Sequence, residues 1–326
     1  MKILSKEEFS YVVDSIKPYV DQVGGELLAK ALIGGTTSKV INLRTGIKGK
    51  QALNLLNSNI VVQDGVCGWD PASGTTTTFT QHTIETCAKK YNEALCYQDL
   101  YDTYQSMLMK PGQYQDSVPF EQQIMDLKVK QIAQYVEKEI WTGTTGSTCF
   151  EGFKSLISTG STFSSAIAVS ASGTTFSPVA AYGTNGNPIT EVDKLINALD
   201  DDAMSREDLV VFMSYSNFRL YVQALTKANF FQNYIGSTDV TAMMEATHPN
   251  TNVKIYPTIG LYGSNQLTIG PAEYMVQGVD LTSDAEKLVS WYSQDFDQVR
   301  FRANFNLGVT IATFGSTKYF ATNNLA

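Results

Sequence analysis

Two histidines and four cysteines are the side chains in this chain that are best suited to nucleophilic, proton-transfer or metal chemistry. His82 lies in the polar segment TFTQHTIET, and His248 directly precedes Pro249. The two histidines are far apart in sequence and neither has carboxylates at ligand spacing, which argues against a histidine-dependent hydrolase or a zinc site. No cysteine pair has the CxxC spacing of zinc ribbons and thioredoxin-like redox sites.

The four cysteines are scattered, at Cys67, Cys87, Cys96 and Cys149. They allow two disulfides, but scattered thiols in a chain of this length more often stay reduced, and the spacing alone leaves their pairing open. The first residues lack an apolar signal region, and no apolar run approaches the roughly 18 residues of a membrane span. We therefore expect a cytoplasmic product with no membrane partner.

Acidic side chains offer two further candidate sites. The run Asp200–Asp202 is the best candidate for a cation site, but its context lacks the glycine turn of a calcium loop, which favours a solvated loop. Asp280 and Asp284 fit either a turn with a helix cap or a carboxylate pair for glycoside chemistry, and the cap is favoured because nothing nearby resembles a sugar site. No nucleotide-binding, hydrolase or EF-hand motif occurs, so we predict no catalytic residues, metal site or cofactor.

The composition limits the remaining functions. The chain has 326 residues and 43% hydrophobic content, which is enough for one large or two medium domains. Its 24 basic and 32 acidic residues give a net charge of -8, whereas direct nucleic-acid binding normally shows as a basic patch.

The N-terminal segment, residues 1–40, is predicted to be an arm with helical pieces. Ser5 and Glu8 form a capping box, and Phe9 and Val12 begin an apolar series at helical spacing. This apolar stripe needs a partner surface. Composition alone favours a helix docked on its own subunit over one docked on another chain.

Residues 41–98 are predicted to be a long β-hairpin. The segments Asn59–Val62 and Thr75–Phe79 are rich in β-branched residues, and a loop crowded with Gly, Pro, Asp and Ser separates them. Trp69 then lies near the hairpin tip. An exposed tryptophan there favours an interface, while a tryptophan folded back on its own domain is an equally weighted alternative.

A long uninterrupted helix is predicted over residues 119–142. Pro119 suits its first turn, Gly143 suits its end, and the apolar residues between them recur at helical spacing. At 1.5 Å per residue the helix is about 36 Å long, roughly twice the mean length in globular proteins.

The remaining chain mixes short helices and strands and ends in long strands. A loop rich in Ser, Thr and Gly precedes a helix that opens at Thr190, a buried strand Leu209–Ser214 and a helix Tyr215–Leu225. Short strands are predicted at 253–257 and 265–269. Near the C-terminus, apolar residues alternate with polar ones, which indicates a half-buried strand: Val299, Phe301, Ala303, Phe305 and Leu307 alternate with Arg300, Arg302, Asn304 and Asn306.

This order of elements, an α+β fold, resembles the Hong Kong 97-type capsid fold of tailed-bacteriophage major capsid proteins. PFEQQIMDLKVKQIAQYVEKEIWTG resembles the spine helix, and DFDQVRFRANFNLGVTIATFGSTKYF resembles the closing strands of the peripheral domain. The resemblance implies an N-terminal arm at 1–40, an extension loop at 41–98, a peripheral domain at 99–146 and 271–326 that includes spine helix 119–142, and an axial domain at 147–270.

The resemblance also implies a function. Copies of the chain would self-assemble into hexamers and pentamers of an icosahedral shell that encloses phage double-stranded DNA without sequence-specific binding. The subunit would be made in the host bacterial cytoplasm and reside in the virion, with a separate scaffolding protein, a portal and decoration proteins as partners. The residues expected at subunit contacts are Phe9, Val12, Val66, Trp69, Asp70 and Phe79.

Two alternatives stay open at this point. An encapsulin-like bacterial nanocompartment shell has a related fold and a similar size. A carboxylate-dependent glycan-active enzyme would use the acidic residues and some of the 17 tyrosines. Lys48 and Lys50 lie near the start of the hairpin, but no acidic catalyst or acceptor asparagine can be assigned to them, so the sequence leaves covalent cross-linking between subunits open.

Overall fold

A computed structural model describes residues 26–65, 67, 74, 76–96, 120–145, 149–158, 167–169, 176–177, 180, 182–228, 244–249, 251, 253–280, 288–296, 298–313 and 318–323. The helices in these ranges are α1 (26–33), α2 (Thr36–Val40), α3 (Phe120–Thr142), α4 (Phe153–Leu156), α5 (Pro188–Asn197), α6 (Asp201–Met204) and α7 (Tyr215–Lys227). The strands are β1 (Asn42–Arg44), β2 (Lys50–Asn59), β3 (Thr76–Glu85), β4 (Cys87–Cys96), β5 (Ile167–Val169), β6 (Leu209–Ser214), β7 (Ala246–Thr247), β8 (Lys254–Thr258), β9 (Thr268–Pro271), β10 (Met275–Val279), β11 (Leu288–Ser293), β12 (Gln298–Ile311) and β13 (Phe320–Thr322).

The long helix α3 is confirmed, with 23 residues against the predicted span 119–142. Met125, Val129, Ile132, Val136 and Ile140 form its buried face at helical spacing, whereas Leu127 and Tyr135 are exposed. Near its C-terminal end, Trp141 is fully buried and meets Phe153 and Phe212 edge-on, with ring centroids 5.7 and 5.2 Å apart. Gly260 lies against this indole, where a Cβ atom would come within 2.2 Å of Cδ1 of Trp141. The helix end is thereby packed against the centre of the molecule.

A buried carboxylate fastens α2 to the long helix. Oε1 of Glu137 accepts hydrogen bonds from the backbone N–H of Thr37 (2.9 Å) and the hydroxyl of Thr258 (2.7 Å), and the Thr37 hydroxyl also donates to it. Nε1–H of Trp141 donates to the Thr37 hydroxyl at 2.8 Å. Because buried polar groups are costly without partners, this network fixes how the helices meet.

A five-stranded sheet packs on α3. Its strand order is β1-β10-β12-β11, and β4 also pairs with β12. Strand β12 has 14 residues, and the alternation predicted for it is confirmed: the apolar side chains from Val299 to Leu307 are buried and the polar ones between them are not. Strand β12 therefore connects most of the sheet. Strand β4 pairs antiparallel with its first part, and β10 pairs antiparallel with its last part.

A six-stranded sheet has the order β5-β13-β9-β6-β8-β7. Strand β6 has the predicted bounds and is buried at every position. The helix predicted at Thr190 begins earlier, at Pro188, because the Asn187 side chain caps it by accepting from the backbone N–H of Ile189 at 3.0 Å. The strand predicted at 265–269 is displaced to β9, because the N–H of Leu267 binds the side chain of Asn323 instead.

One continuous hydrophobic core runs through both sheets and α3. The structure shows a cysteine pairing that the sequence spacing left open: Cys87 and Cys149 are joined as a disulfide, whereas Cys67 is free and exposed. The described part of the chain contains no helix that combines the length and apolar character needed to cross a bilayer.

Candidate assembly surface

The hairpin formed by β2 and β3 is the element that stands apart from the core. The two strands have ten residues each and pair antiparallel with each other, from Lys50 opposite Glu85 to Asn59 opposite Thr76. They form a separate two-stranded sheet, so a hairpin is present, but it is shorter than the predicted range 41–98, because β1 pairs with β10 and β4 pairs with β12. Ten residues of antiparallel strand span about 34 Å, and a two-stranded ribbon of this kind is marginal in water unless it packs on something.

The root of the hairpin is well anchored. The backbone N–H of Thr86 donates to the carbonyl of Gly49 at 2.8 Å, and the Thr86 hydroxyl lies 3.1 Å from the carbonyl oxygens of Ile47 and Gly49. Gly49 has φ 75°, a left-handed conformation that glycine adopts without strain. A small core seals the root, and it consists of Ile47, Ile84, Val276 and Ala312.

The two faces of the hairpin differ. On one face, Leu53 and Leu55 pack against the small core and are partly buried. On the opposite face, Leu56 lies directly across from Phe79 in the strand register. Since side chains alternate along a strand, Leu56 and Phe79 point away from the body of the subunit.

On either side of Leu56 and Phe79, polar side chains of the two strands already form hydrogen bonds with each other. Nε2 of Gln81 donates to Oδ1 of Asn54 at 3.0 Å, and the hydroxyls of Ser58 and Thr77 lie 3.3 Å apart. These cross-strand bonds order the outward face while leaving its apolar centre uncovered.

The hairpin and the segment directly after β2 carry several strongly exposed apolar side chains. The exposed fractions are 58% for Leu56, 79% for Phe79, 73% for Ile60 and 88% for Val62. Single exposed apolar residues are ordinary, but a group of this size on one projecting element marks an interaction surface. Beneath the hairpin a cleft of about 370 Å³ separates it from the body, lined among others by Arg44, Leu53, Leu55, Glu273 and Tyr274.

Of the residues predicted at subunit contacts, the structure describes one. Phe79 is exposed on β3 and points outward, whereas Phe9, Val12, Val66, Trp69 and Asp70 lie outside the described residues. Sequence reasoning missed Leu56, Ile60 and Val62. The apolar residues of the segment from Leu53 to Val62 are the signal that marks them, but only the register with β3 shows that Leu56 faces outward, and Ile60 and Val62 lie beyond the end of β2.

A second partly apolar surface lies on the long helix. Leu127 and Tyr135 are exposed on α3, and Tyr135 borders a groove of about 280 Å³ with Tyr91, Ile132 and Phe305. Partial burial and the neighbouring carboxylate of Glu139 raise the pKa of Tyr135 to about 12. Its phenol is therefore neutral in physiological buffers.

The histidines are structural. His248 is buried, its Nε2 lies 2.7 Å from Oδ1 of Asp193, and its Nδ1 lies 2.8 Å from the hydroxyl of Tyr221. A carboxylate partner was not predicted, and it comes from α5. Burial, followed by the charge of Asp193, raises the pKa of Tyr221, so its phenol stays protonated and bonded. Nε2 of His82 lies 2.9 Å from the backbone carbonyl of Thr313.

The acidic candidates also have structural roles. The loop predicted at Asp200–Asp202 is instead the start of the short helix α6 from Asp201, although Asp201 and Asp202 are exposed as predicted. Asp200 accepts from the N–H of Lys318 at 2.9 Å, and Asp202 accepts from the Tyr319 hydroxyl at 2.7 Å. Asp280 is buried directly after β10, and Asp284 lies outside the described residues. Within the described ranges no three His, Cys, Asp or Glu residues converge as metal ligands would.

Comparison with known proteins gives a match by structure alone. No protein-family model matches the sequence, and no curated protein matches it either. A chain in the solved structure of the satellite phage P4 procapsid, which includes the size determination protein Sid, superposes with a TM-score of 0.53 at 12% identity, covering 91% of this chain and 89% of that chain. The capsid of an empty GTA particle gives 0.53 at 9% identity, with 88% of each chain covered.

The capsid of Ralstonia phage GP4 is similar as well, with a TM-score of 0.52, 9% identity, and coverage of 88% of this chain and 87% of that chain. At such low identities the likeness concerns the fold. The chain thus has the mixed helix and sheet fold of phage capsid proteins, over nearly its whole length and that of the chains it matches.

Proposed function

We propose that this chain is the major capsid protein of a tailed bacteriophage, with a structural rather than a catalytic role. Its copies self-assemble into hexamers and pentamers of an icosahedral shell that encloses double-stranded DNA, and its place is the capsid of the virion. The observation that carries this proposal is the projecting hairpin with an uncovered apolar face, on a chain whose fold matches phage capsid proteins.

The energetics favour a protein partner for the hairpin. Full burial of one large apolar side chain contributes about 1.5–3 kcal/mol. The exposed fractions of Leu56, Ile60, Val62 and Phe79 add up to about three fully exposed side chains. Covering them is therefore worth roughly 4–9 kcal/mol per copy before the cost of association is subtracted. Only another surface can supply this, since the hairpin's other face already packs on its own subunit.

The geometry favours further copies of the same chain. The hairpin projects from one side of the subunit, so its contact would join a different surface on the next copy, and such head-to-tail contacts close into rings when the rotation permits. Many modest contacts then add to a stable shell by multivalency.

The proposal assigns a role to each segment of the Hong Kong 97-type arrangement. Residues 1–40 form the arm, 41–98 the extension loop, 99–146 with 271–326 the peripheral domain, and 147–270 the axial domain. The arm residues Phe9 and Val12 and the loop residues Val66, Trp69 and Asp70 contribute to contacts between copies. A separate scaffolding protein, a portal and decoration proteins are the further partners.

The test begins with the expressed protein. Size-exclusion chromatography and negative-stain microscopy are expected to show capsomers or closed particles, whereas a monomer or small oligomer at high concentration would refute the proposal. Deletion of Asp64–Gly74 is expected to leave a folded subunit that no longer closes shells. Normal particles from that deletion would remove the role of the hairpin tip. Nuclease-protected DNA in particles from the native host would separate a capsid from a nanocompartment with enzyme cargo.

A further inference from the structure

The disulfide between Cys87 and Cys149 joins two mechanically distinct parts of the subunit. Cys87 is the first residue of β4 and directly follows Thr86, which holds the hairpin root. Cys149 lies in the segment that follows α3. The two Cα atoms are 6.0 Å apart, a separation that suits a disulfide. The bond therefore ties the hairpin root to the end of the long helix.

Packing around the pair holds the two sulfur atoms together independently of the bond. Phe150, next to Cys149, is buried, and Nζ of Lys89 lies 5.9 Å from its ring centroid. The same amine lies 4.0 Å from Oε2 of Glu139 on α3. The N–H of Gly152 donates to the carbonyl of Gly143 at 2.8 Å and fixes the return of the chain after the helix. None of these contacts depends on the S–S bond, so we expect a dithiol form of the subunit to keep them.

Access to the pair is asymmetric. Cys149 is exposed, and Cys87 is half-buried. A small soluble oxidant or reductant therefore reaches the sulfur of Cys149 first, without unfolding of the core.

The place of synthesis and the place of the disulfide differ. A phage subunit is made in the bacterial cytoplasm, where glutathione and thioredoxin keep protein thiols reduced. The finished particle exists outside the cell, in an oxidising medium. We propose that Cys87 and Cys149 form a post-assembly oxidation site: subunits assemble as dithiols, and the disulfide forms in the released particle. This timing rests on the function proposed above, whereas the pairing of the two sulfurs does not.

The reaction needs a mild disulfide oxidant such as oxidised glutathione. The thiolate of Cys149 attacks one sulfur of glutathione disulfide, forms a mixed disulfide and releases one glutathione thiolate. The thiolate of Cys87 then attacks the sulfur of Cys149 and releases the second glutathione thiolate. The protein loses two electrons and two protons, glutathione disulfide takes up the two electrons, and the protons pass to solvent.

The consequence of oxidation is a more stable folded subunit within the assembled particle. The bond closes a loop with a sequence separation of 62, which restricts the unfolded chain and leaves the folded contacts unchanged. Oxidation after assembly therefore stabilises the particle and does not alter the surfaces by which it forms.

The experiment compares cytoplasmic subunits with released particles. Both samples are quenched with acid at lysis, and the free thiols are then alkylated. The remaining disulfides are reduced, and the thiols they release are labelled with a heavy form of the reagent. Mass spectrometry quantifies both labels at Cys87 and Cys149. We expect the oxidised fraction to rise at least about 10-fold on release. A pair already oxidised in the cytoplasm, or still reduced in released particles, would overturn the timing.

Single variants and the double variant show whether the pair acts as a unit. Cys87→Ser, Cys149→Ser and the double variant are each expected to assemble and to lower the heat-disruption midpoint of released particles by the same amount, about 6 °C for a loop of this length in a chain of this size. A phosphine reductant is expected to lower the wild-type midpoint equally and to leave these variants unchanged. Cys67→Ser, which removes a free and exposed cysteine, serves as the matched control and is expected to keep the wild-type response.

If the single variants lower the heat-disruption midpoint by unequal amounts, or if the reductant still lowers it in these variants, stabilisation by this disulfide is contradicted. If the wild-type chain forms no particles, the proposed function fails first. Treatment of the purified subunit with oxidised glutathione then decides separately whether Cys87 and Cys149 are a matched pair.

Discussion

Replacing Phe79 by serine is the sharpest single perturbation of the proposed assembly surface. Phe79 is 79% exposed on the outward face of the hairpin, opposite Leu56. Full burial of a phenylalanine contributes about 1.5–3 kcal/mol, so covering the exposed part contributes about 1.2–2.4 kcal/mol per contact. In a ring of six subunits the loss reaches roughly 7–14 kcal/mol.

The same loss of free energy per contact predicts the concentration at which the variant assembles. A loss of 1.2–2.4 kcal/mol per contact raises the concentration at which subunits assemble by about 8- to 60-fold. The isolated subunit is expected to keep its unfolding midpoint, because an exposed residue away from special features changes stability by less than about 0.5 kcal/mol. Sedimentation over a concentration series measures the first quantity, and urea unfolding followed by circular dichroism measures the second.

Thr83→Ser is the matched control for Phe79→Ser. Thr83 is exposed on the same strand and the same outward face, nearer the anchored root. If both variants assemble at the wild-type concentration, the outward face carries no subunit contact and the reasoning fails. If Phe79→Ser instead lowers the unfolding midpoint of the subunit, the side chain serves the fold and the assembly interpretation is wrong.

Three further substitutions test the interior. Glu137→Ala leaves buried threonine donors without an acceptor and is expected to cost at least about 2 kcal/mol in urea unfolding. Tyr221→Phe removes a buried hydrogen bond and is expected to cost about 1–3 kcal/mol, whereas Tyr215→Phe, exposed on the same helix, is expected to cost almost nothing. For Asp208, burial raises the pKa, but the hydrogen bonds from Arg206 and from the backbone N–H of Glu273, together with the charge of Arg206, outweigh it and the net pKa is lowered. Its stabilisation is present above the ordinary value near 4 and is lost as pH falls through the lowered pKa, so the destabilisation by Asp208→Asn is expected to shrink as the pH falls below about 4.

The elements that the sequence predicted well are those with a local periodic signal. Strand β6 has the predicted bounds because its five apolar residues, Leu209–Met213, form a continuous run that is buried on both faces. The alternation from Val299 to Leu307 needed only the two-residue period of a strand. The hairpin could be predicted because a loop crowded with Gly, Pro, Asp and Ser separates two segments rich in β-branched residues.

The missed features depend on contacts between distant segments. Asp193 and His248 are 55 residues apart, and the two bridged cysteines are separated by 62, so no short window contains either pair. The run Asp200–Asp202 reads as a solvated loop because its partners, near Lys318, lie at the other end of the chain. Leu56 follows Leu55 directly, and only strand pairing decides which of the two faces outward.

The tip and the root of the hairpin are suited to different tasks. The outward face carries uncovered apolar side chains, which gain free energy only when another surface covers them. The root carries hydrogen bonds, a sealed core and a disulfide, which gain nothing from a partner and instead keep the ribbon in one orientation. A contact made at the end of a ribbon about 34 Å long is productive only if the base does not swing, because a loosely held arm loses conformational entropy when it docks. Under the proposed function, the hydrogen bonds and the small core at the root are therefore the restraints that let a thin two-stranded projection hold one subunit to the next, and the disulfide adds to them only after assembly.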